Sequence, residues 1–125
     1  MENGILLVTV LEAKELINMD GLGGRNDAYV KIQLGKTMKT KVMKNAGKEA
    51  EFNESFSFAT SNLEPVMKVE CWDWDRFTRD DLIGDIMLDL RPTLEEKCIE
   101  TWYPIMNKKK PAGKIRLRTI FTPEN

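Results

Sequence analysis

The sequence predicts an all-β fold, an eight-stranded antiparallel β-sandwich with one short helix, and three observations carry that prediction. About eight short runs, apolar or alternating, recur at near-regular spacing with turn residues between them. Helical signals are confined to one short stretch, Pro92 to Lys97. The chain of 125 residues is 42% hydrophobic with a net charge of −1, which fits one globular domain over residues 1–125. A chain of this length builds its own core without metal or disulfide staples.

The first run, Ile5 to Leu11 (ILLVTVL), is apolar and β-branched. Ala28 to Leu34 sets Tyr29 and Val30 beside a Lys/Gln alternation, and Thr37 to Met43 alternates lysine with other types. Glu54 to Ala59 places Phe56 and Phe58 on one face and serines on the other, because side chains in a strand alternate with period two. Val66 to Trp72 does the same with Met67, Val69 and Cys71. Leu82 to Leu90 follows. Pro92 to Lys97 then reads as a helix, with Pro early, Glu95 and Glu96 in its first turns and Lys97 last, suiting the dipole. Thr101 to Ile105 and Lys114 to Phe121 complete the set. In the last, Ile115, Leu117, Thr119 and Phe121 oppose Lys114, Arg116 and Arg118, the pattern of a half-buried strand.

Composition excludes several functions. With 19 Lys and Arg against 20 Asp and Glu, the chain lacks the basic excess of a general nucleic-acid binder. No apolar run approaches the ~20 residues of a membrane span, and Met1 to Gly4 has no basic flank or small-residue cleavage site. An intracellular protein is therefore expected. Cys71 and Cys98, without C-x-x-C spacing, read as free thiols rather than a zinc site. The absence of histidine removes the usual general base and the Ser-His and Cys-His pairs, so no enzyme is expected.

The most informative stretch is VECWDWDRFTRDDLIGD, which crowds Asp73, Asp75, Asp80 and Asp81 into nine residues after an apolar strand. Converging carboxylates repel by several kcal/mol unless a cation lies between them. Asp73 and Asp75, two apart in extended chain, put hard oxygen ligands on one side. An EF-hand fails here, because its sixth and twelfth positions would be Thr78 and Gly84. A second acidic loop, NMDGLGGRND, carries Asp20 and Asp27 around three glycines, where turn or cap roles are the plain alternative. Lys31, Lys36, Lys39, Lys41, Lys44 and Lys48 fall within eighteen residues free of Asp and Glu, a local basic field or a solvated strand face.

Together these residues resemble the C2 domains, the calcium-dependent membrane-binding sandwiches of protein kinase C and synaptotagmin. LEAKELINMDGLGGRNDAYVKIQLG is similar to the family's first calcium loop and the following strand, EFNESFSF to its W-N-E-x-F-x-F segment, and CWDWDRFTRDDLIGD to its third loop. Ala28 stands where a proline is usual, Phe52 where a tryptophan is, and loop one is about one residue longer than the commonest spacing. A C-terminal GKIRLRTIF strand that supplies the usual first strand implies the circularly permuted, type II Greek-key topology.

The resemblance implies calcium ligands at Asp20, Asp27, Asp73, Asp75 and Asp81, joined by Thr78, around two or three Ca2+ ions. Asp80 is left as a solvated loop charge. It implies membrane insertion by Phe77 and Leu22, phosphate contacts from Arg76 and Arg79, and a phosphoinositide groove from Lys31, Lys39 and Lys41 flanked by Tyr29 and Trp72. Gln33 replaces a further lysine of that groove. The implied partner is an anionic phospholipid membrane containing phosphatidylserine or phosphoinositides, reached from the cytoplasm on calcium binding. A calcium-independent protein-interaction domain of the same fold is the alternative.

Overall fold

The computed structural model describes residues 1–19 and 24–125. Eight strands and one helix follow in order among them: β1 (Gly4–Lys14), β2 (Ala28–Leu34), β3 (Lys36–Lys39), β4 (Ala50–Ala59), β5 (Val66–Asp73), β6 (Asp81–Asp89), α1 (Arg91–Glu96), β7 (Cys98–Asn107) and β8 (Lys110–Pro123). Neighbours pair antiparallel in the order β3-β2-β5-β6-β7-β8-β1-β4. The C-terminal strand lies between β7 and β1, as the permuted topology requires.

Between β6 and β7 the ladder narrows to one pair, Asp85 with Met106. The sheet folds there into two four-stranded layers whose inward rows share one core. Val30 and Ile32 of β2, Met67, Val69 and Cys71 of β5, and Ile115 and Leu117 of β8 are fully buried in it. The alternation read from the sequence is borne out most cleanly in β5 and β8. On the wet side of β8, Arg116 donates to Glu12 at 2.9 Å and Arg118 to Glu100 at 2.8 Å, forming a charge ladder across β1, β8 and β7.

Four local expectations are corrected. The strand predicted over Thr37 to Met43 ends at Lys39, because the Thr40 hydroxyl accepts the Val30 N–H at 2.9 Å in place of a ladder carbonyl. The chain rejoins β2 only at a bridge between Met43 and Ala28. β4 begins at Ala50 rather than Glu54, since Ala50 and Phe52 are buried. Asn53 takes φ 51° where the register of β1 and β4 shifts, a left-handed position that asparagine tolerates. In α1 the first turn holds no acidic residue; the Asp89 carboxylate before it accepts the Arg91 N–H at 3.0 Å. The two-residue spacing of Trp72 and Trp74 predicts that they share a face of one strand, yet Trp74 lies beyond the end of β5.

Gly84 sits where the layers meet. A β-carbon there would lie 2.8 Å from Ala112 Cβ and 3.2 Å from the Met106 carbonyl oxygen. Both neighbours belong to packed strands and cannot swing away. Gly84→Ala is therefore expected to overpack the junction and lower the unfolding free energy by about 1–3 kcal/mol in urea denaturation. A loss below the scatter of the measurement would disprove the close approach.

Candidate functional site

β5 shows how the site is built. Its inward row runs Met67, Val69, Cys71 and then Asp73, so the strand that fills the core ends by turning a carboxylate inward at only 1% exposure. The Cys71 thiol below it is pushed up to about 12 by burial and by Asp73, which keeps it neutral and unreactive. Asp73 accepts the Asp27 N–H at 2.8 Å, and the Trp74 N–H returns to the Asp27 carbonyl at 2.8 Å. Asp27 in turn accepts the Asn45 N–H at 2.8 Å. The segment entering β2, loop 40–49 and loop 74–80 are thereby joined through two aspartates.

Asp81 stands opposite Asp73 in the β5–β6 register. Asp75 accepts the N–H groups of Phe77 at 2.8 Å and Thr78 at 3.0 Å, and these amides hold its carboxyl below the usual range. The Thr78 hydroxyl, exposed beside it, donates to the Arg79 carbonyl at 3.4 Å. Asp80 is not the solvated charge expected of it. One of its oxygens accepts the Asp75 N–H at 2.9 Å and the other the Tyr29 hydroxyl, so it braces loop 74–80 against β2. Tyr29 is correspondingly buried, a buttress for the acidic loop.

Asp20 and Leu22 lie outside the described residues. Among the described residues no three carboxylates or thiols lie close enough together to hold a metal ion as placed. The donor chemistry nevertheless suits a hard cation. Every donor is a carboxylate or hydroxyl oxygen, no histidine exists in the chain, and two aspartates face one another across a ladder that a divalent charge would relieve.

Phe77, at the turn of loop 74–80, is 86% exposed, with the Arg76 guanidinium 5.4 Å from its ring centre. On the neighbouring sheet face Lys31 pairs with Lys39 across β2 and β3, and its ammonium lies 5.1 Å from the Trp72 ring centre. The Trp72 indole N–H is buried with no hydrogen-bond partner among the described residues. Lys41 is exposed past the end of β3, where Glu54 accepts its backbone N–H at 2.8 Å. Glu70 of β5 also stands across from Lys31, so the basic face is narrower than the lysine count suggests. Lys44 covers the Trp74 ring at 5.0 Å.

One basic element escapes the sequence reading. Lys108, Lys109 and Lys110 form the β7–β8 hairpin at the same end as the aspartate loops, because β6 leaves that end and β7 returns to it. Three consecutive lysines after an asparagine are the available signal.

The C2 domain family model matches residues 4–105. The chain belongs to the C2 domain family. An Arabidopsis thaliana C2 and GRAM domain-containing protein is 35% identical over 96% of this chain, which spans only 12% of that relative's length. Elicitor-responsive protein 3 of Oryza sativa subsp. japonica is 29% identical, covering 100% of this chain and 88% of the relative. The calcium-bound structure of two C2 domains of Extended-Synaptotagmin 2 superposes with TM-score 0.84 at 25% identity, over 98% of this C2 domain and 47% of that chain. Membership with such neighbours supports a module that binds membranes, lipids or proteins.

The Tyr29 brace makes a pH prediction. Burial first, and then the bond to Asp80, raise the Tyr29 hydroxyl well above its ordinary value of 10.0; burial alone raises Tyr103. The folded state thus retains phenolic protons that the unfolded chain releases, and stability is expected to fall as pH rises above 10. In a Tyr103→Phe variant, ultraviolet titration should detect tyrosinate only as the fold is lost; a reversible tyrosinate step near pH 10 in that folded variant contradicts the brace.

Proposed function

We propose that this C2 domain binds anionic phospholipid membranes in response to calcium and acts as a recruitment or tethering module without catalysis of its own. The observation that carries the reading is the pairing, on one loop, of amide-ordered aspartates with a phenylalanine that is 86% exposed. Asp27, Asp73, Asp75 and Asp81 would hold the ions, with Thr78 beside them and Asp20 as the fifth carboxylate.

Bound calcium would reverse the sign of the loop tips and leave coordination positions for lipid phosphate oxygens. The residues supply the rest. Phe77 would enter the region below the headgroups, with burial of its ring contributing about 2 kcal/mol. Arg76 would meet phosphate. Lys31, Lys39 and Lys41, beside Trp72, offer a second anionic contact of phosphoinositide type, which Glu70 tempers. The protein would then be peripheral to the membrane and would leave it when calcium falls.

A second reading is favoured by the hydrogen bonding. Asp27, Asp73 and Asp75 already accept backbone N–H groups from within the fold, so loops 40–49 and 74–80 are tied down without an ion. The same domain could therefore serve as a calcium-independent protein-interaction module.

Co-sedimentation with phosphatidylserine vesicles, in calcium and in chelator, separates the readings. Pelleting in calcium alone is expected, and Asp75→Asn with Asp81→Asn should weaken it by at least about tenfold. Undiminished pelleting of that variant would leave the protein-interaction reading. Phe77→Ala should weaken vesicle affinity by roughly thirtyfold with no change in thermal stability; equal affinity would remove the insertion role.

A further inference from the structure

We propose that the β7–β8 hairpin is a further membrane-docking element, in which Lys108, Lys109 and Lys110 and the apolar groove beneath them rest on the same anionic lipid surface as loop 74–80. This inference rests on the membrane reading above and adds a contact separate from the aspartates.

Four observations carry it. The hairpin turn places lysine at both central positions, with φ 50° at Lys108 and 66° at Lys109. Two-residue turns of this hand favour asparagine and glycine, so the turn's own backbone preference does not account for lysine there. Second, the three ammonium groups make no ion pair among the described residues, and their side chains are exposed. Further along the same strand, by contrast, Arg116 and Arg118 are bound to Glu12 and Glu100.

Third, the hairpin borders a groove of about 560 Å³ lined by the apolar Ile17, Met19, Leu82 and Pro111 together with Asn107, Lys108 and Lys110. Among the described residues no acidic side chain lines it. A lining of apolar and cationic side chains is complementary to a bilayer's acyl boundary and its anionic headgroups. Fourth, the hairpin is fixed in position relative to the aspartate loop. The Asn107 side-chain amide donates to the carbonyls of Leu82 at 2.9 Å and Ile83 at 3.2 Å, directly after Asp81. Loop 74–80 and the hairpin therefore approach a surface together, and the end of the sandwich lies against it along a line rather than at one tip.

Lysines near an anionic membrane each contribute about a fivefold gain in binding. Lys108→Asn with Lys109→Gly is the informative variant, because it gives the turn its preferred residues while removing two charges. Its melting temperature should rise, its pelleting should still require calcium, and its affinity for phosphatidylserine vesicles should drop about twentyfold with a weaker salt dependence. If that turn lowers the melting temperature instead, Lys108→Gln, Lys109→Gln and Lys110→Gln together serve for the same comparison. Vesicle affinity equal to wild type in the folded variant overturns the docking role alone. Wild-type protein that stays in the supernatant with and without calcium overturns both the membrane reading and this inference.

Discussion

The Asp73 carboxylate, turned inward at the head of a row of fully buried apolar residues, sets the terms for the whole loop end of the molecule. A charge withdrawn from water costs several kcal/mol unless hydrogen bonds replace its hydration. The Asp27 N–H supplies one such bond and commits the start of β2 to the end of β5. Asp27 then engages Asn45, and Asp80 engages Tyr29 and the Asp75 amide. Acidic loops that would repel one another are thus fastened through backbone donors, and a carboxylate cluster becomes compatible with a stable β-sandwich.

Closure of the two layers is the second constraint. A single Asp85–Met106 pair and a glycine at Gly84 let β6 and β7 approach closely enough for one continuous ladder to fold over on itself. That closure carries the β7–β8 hairpin up beside loop 74–80, and Asn107 locks it there. Core packing and the composition of the loop end are consequently one problem: the contact that shapes the sandwich also decides which side chains share its tip.

Most of the fold is legible because burial imposes period two. Val66 to Trp72 and Lys114 to Phe121 alternate so regularly that their inward faces can be named residue by residue. The misreadings arise where a side chain replaces a backbone partner, since no periodicity records that. Thr40 ends β3 with its hydroxyl, and Asp80 finds a tyrosine 51 residues away. In the candidate site, the crowding and spacing of Asp73 and Asp75 are enough to mark them as paired oxygen donors, whereas the full ligand set is legible only through a family resemblance. Asp27, Asp73, Asp75 and Asp81 do gather at one end of the sandwich, whereas the hydrogen bonds that hold them there have no sequence signature. The lysine hairpin is overshadowed in the sequence by the denser run from Lys31 to Lys48, which the fold divides among β2, β3 and loop 40–49, with Glu70 across from Lys31.

The three tryptophans are distributed unevenly, and each lies beneath a lysine. Trp72 and Trp74 flank the acidic loop under Lys31 and Lys44, while Trp102 sits on the far layer between Lys14 and Lys114, at 5.8 and 4.9 Å. An ammonium over an indole shifts its excited state according to their separation. The domain therefore carries two native fluorophores beside loop 74–80 and a third on the other layer, so that one optical signal samples both layers of the sandwich.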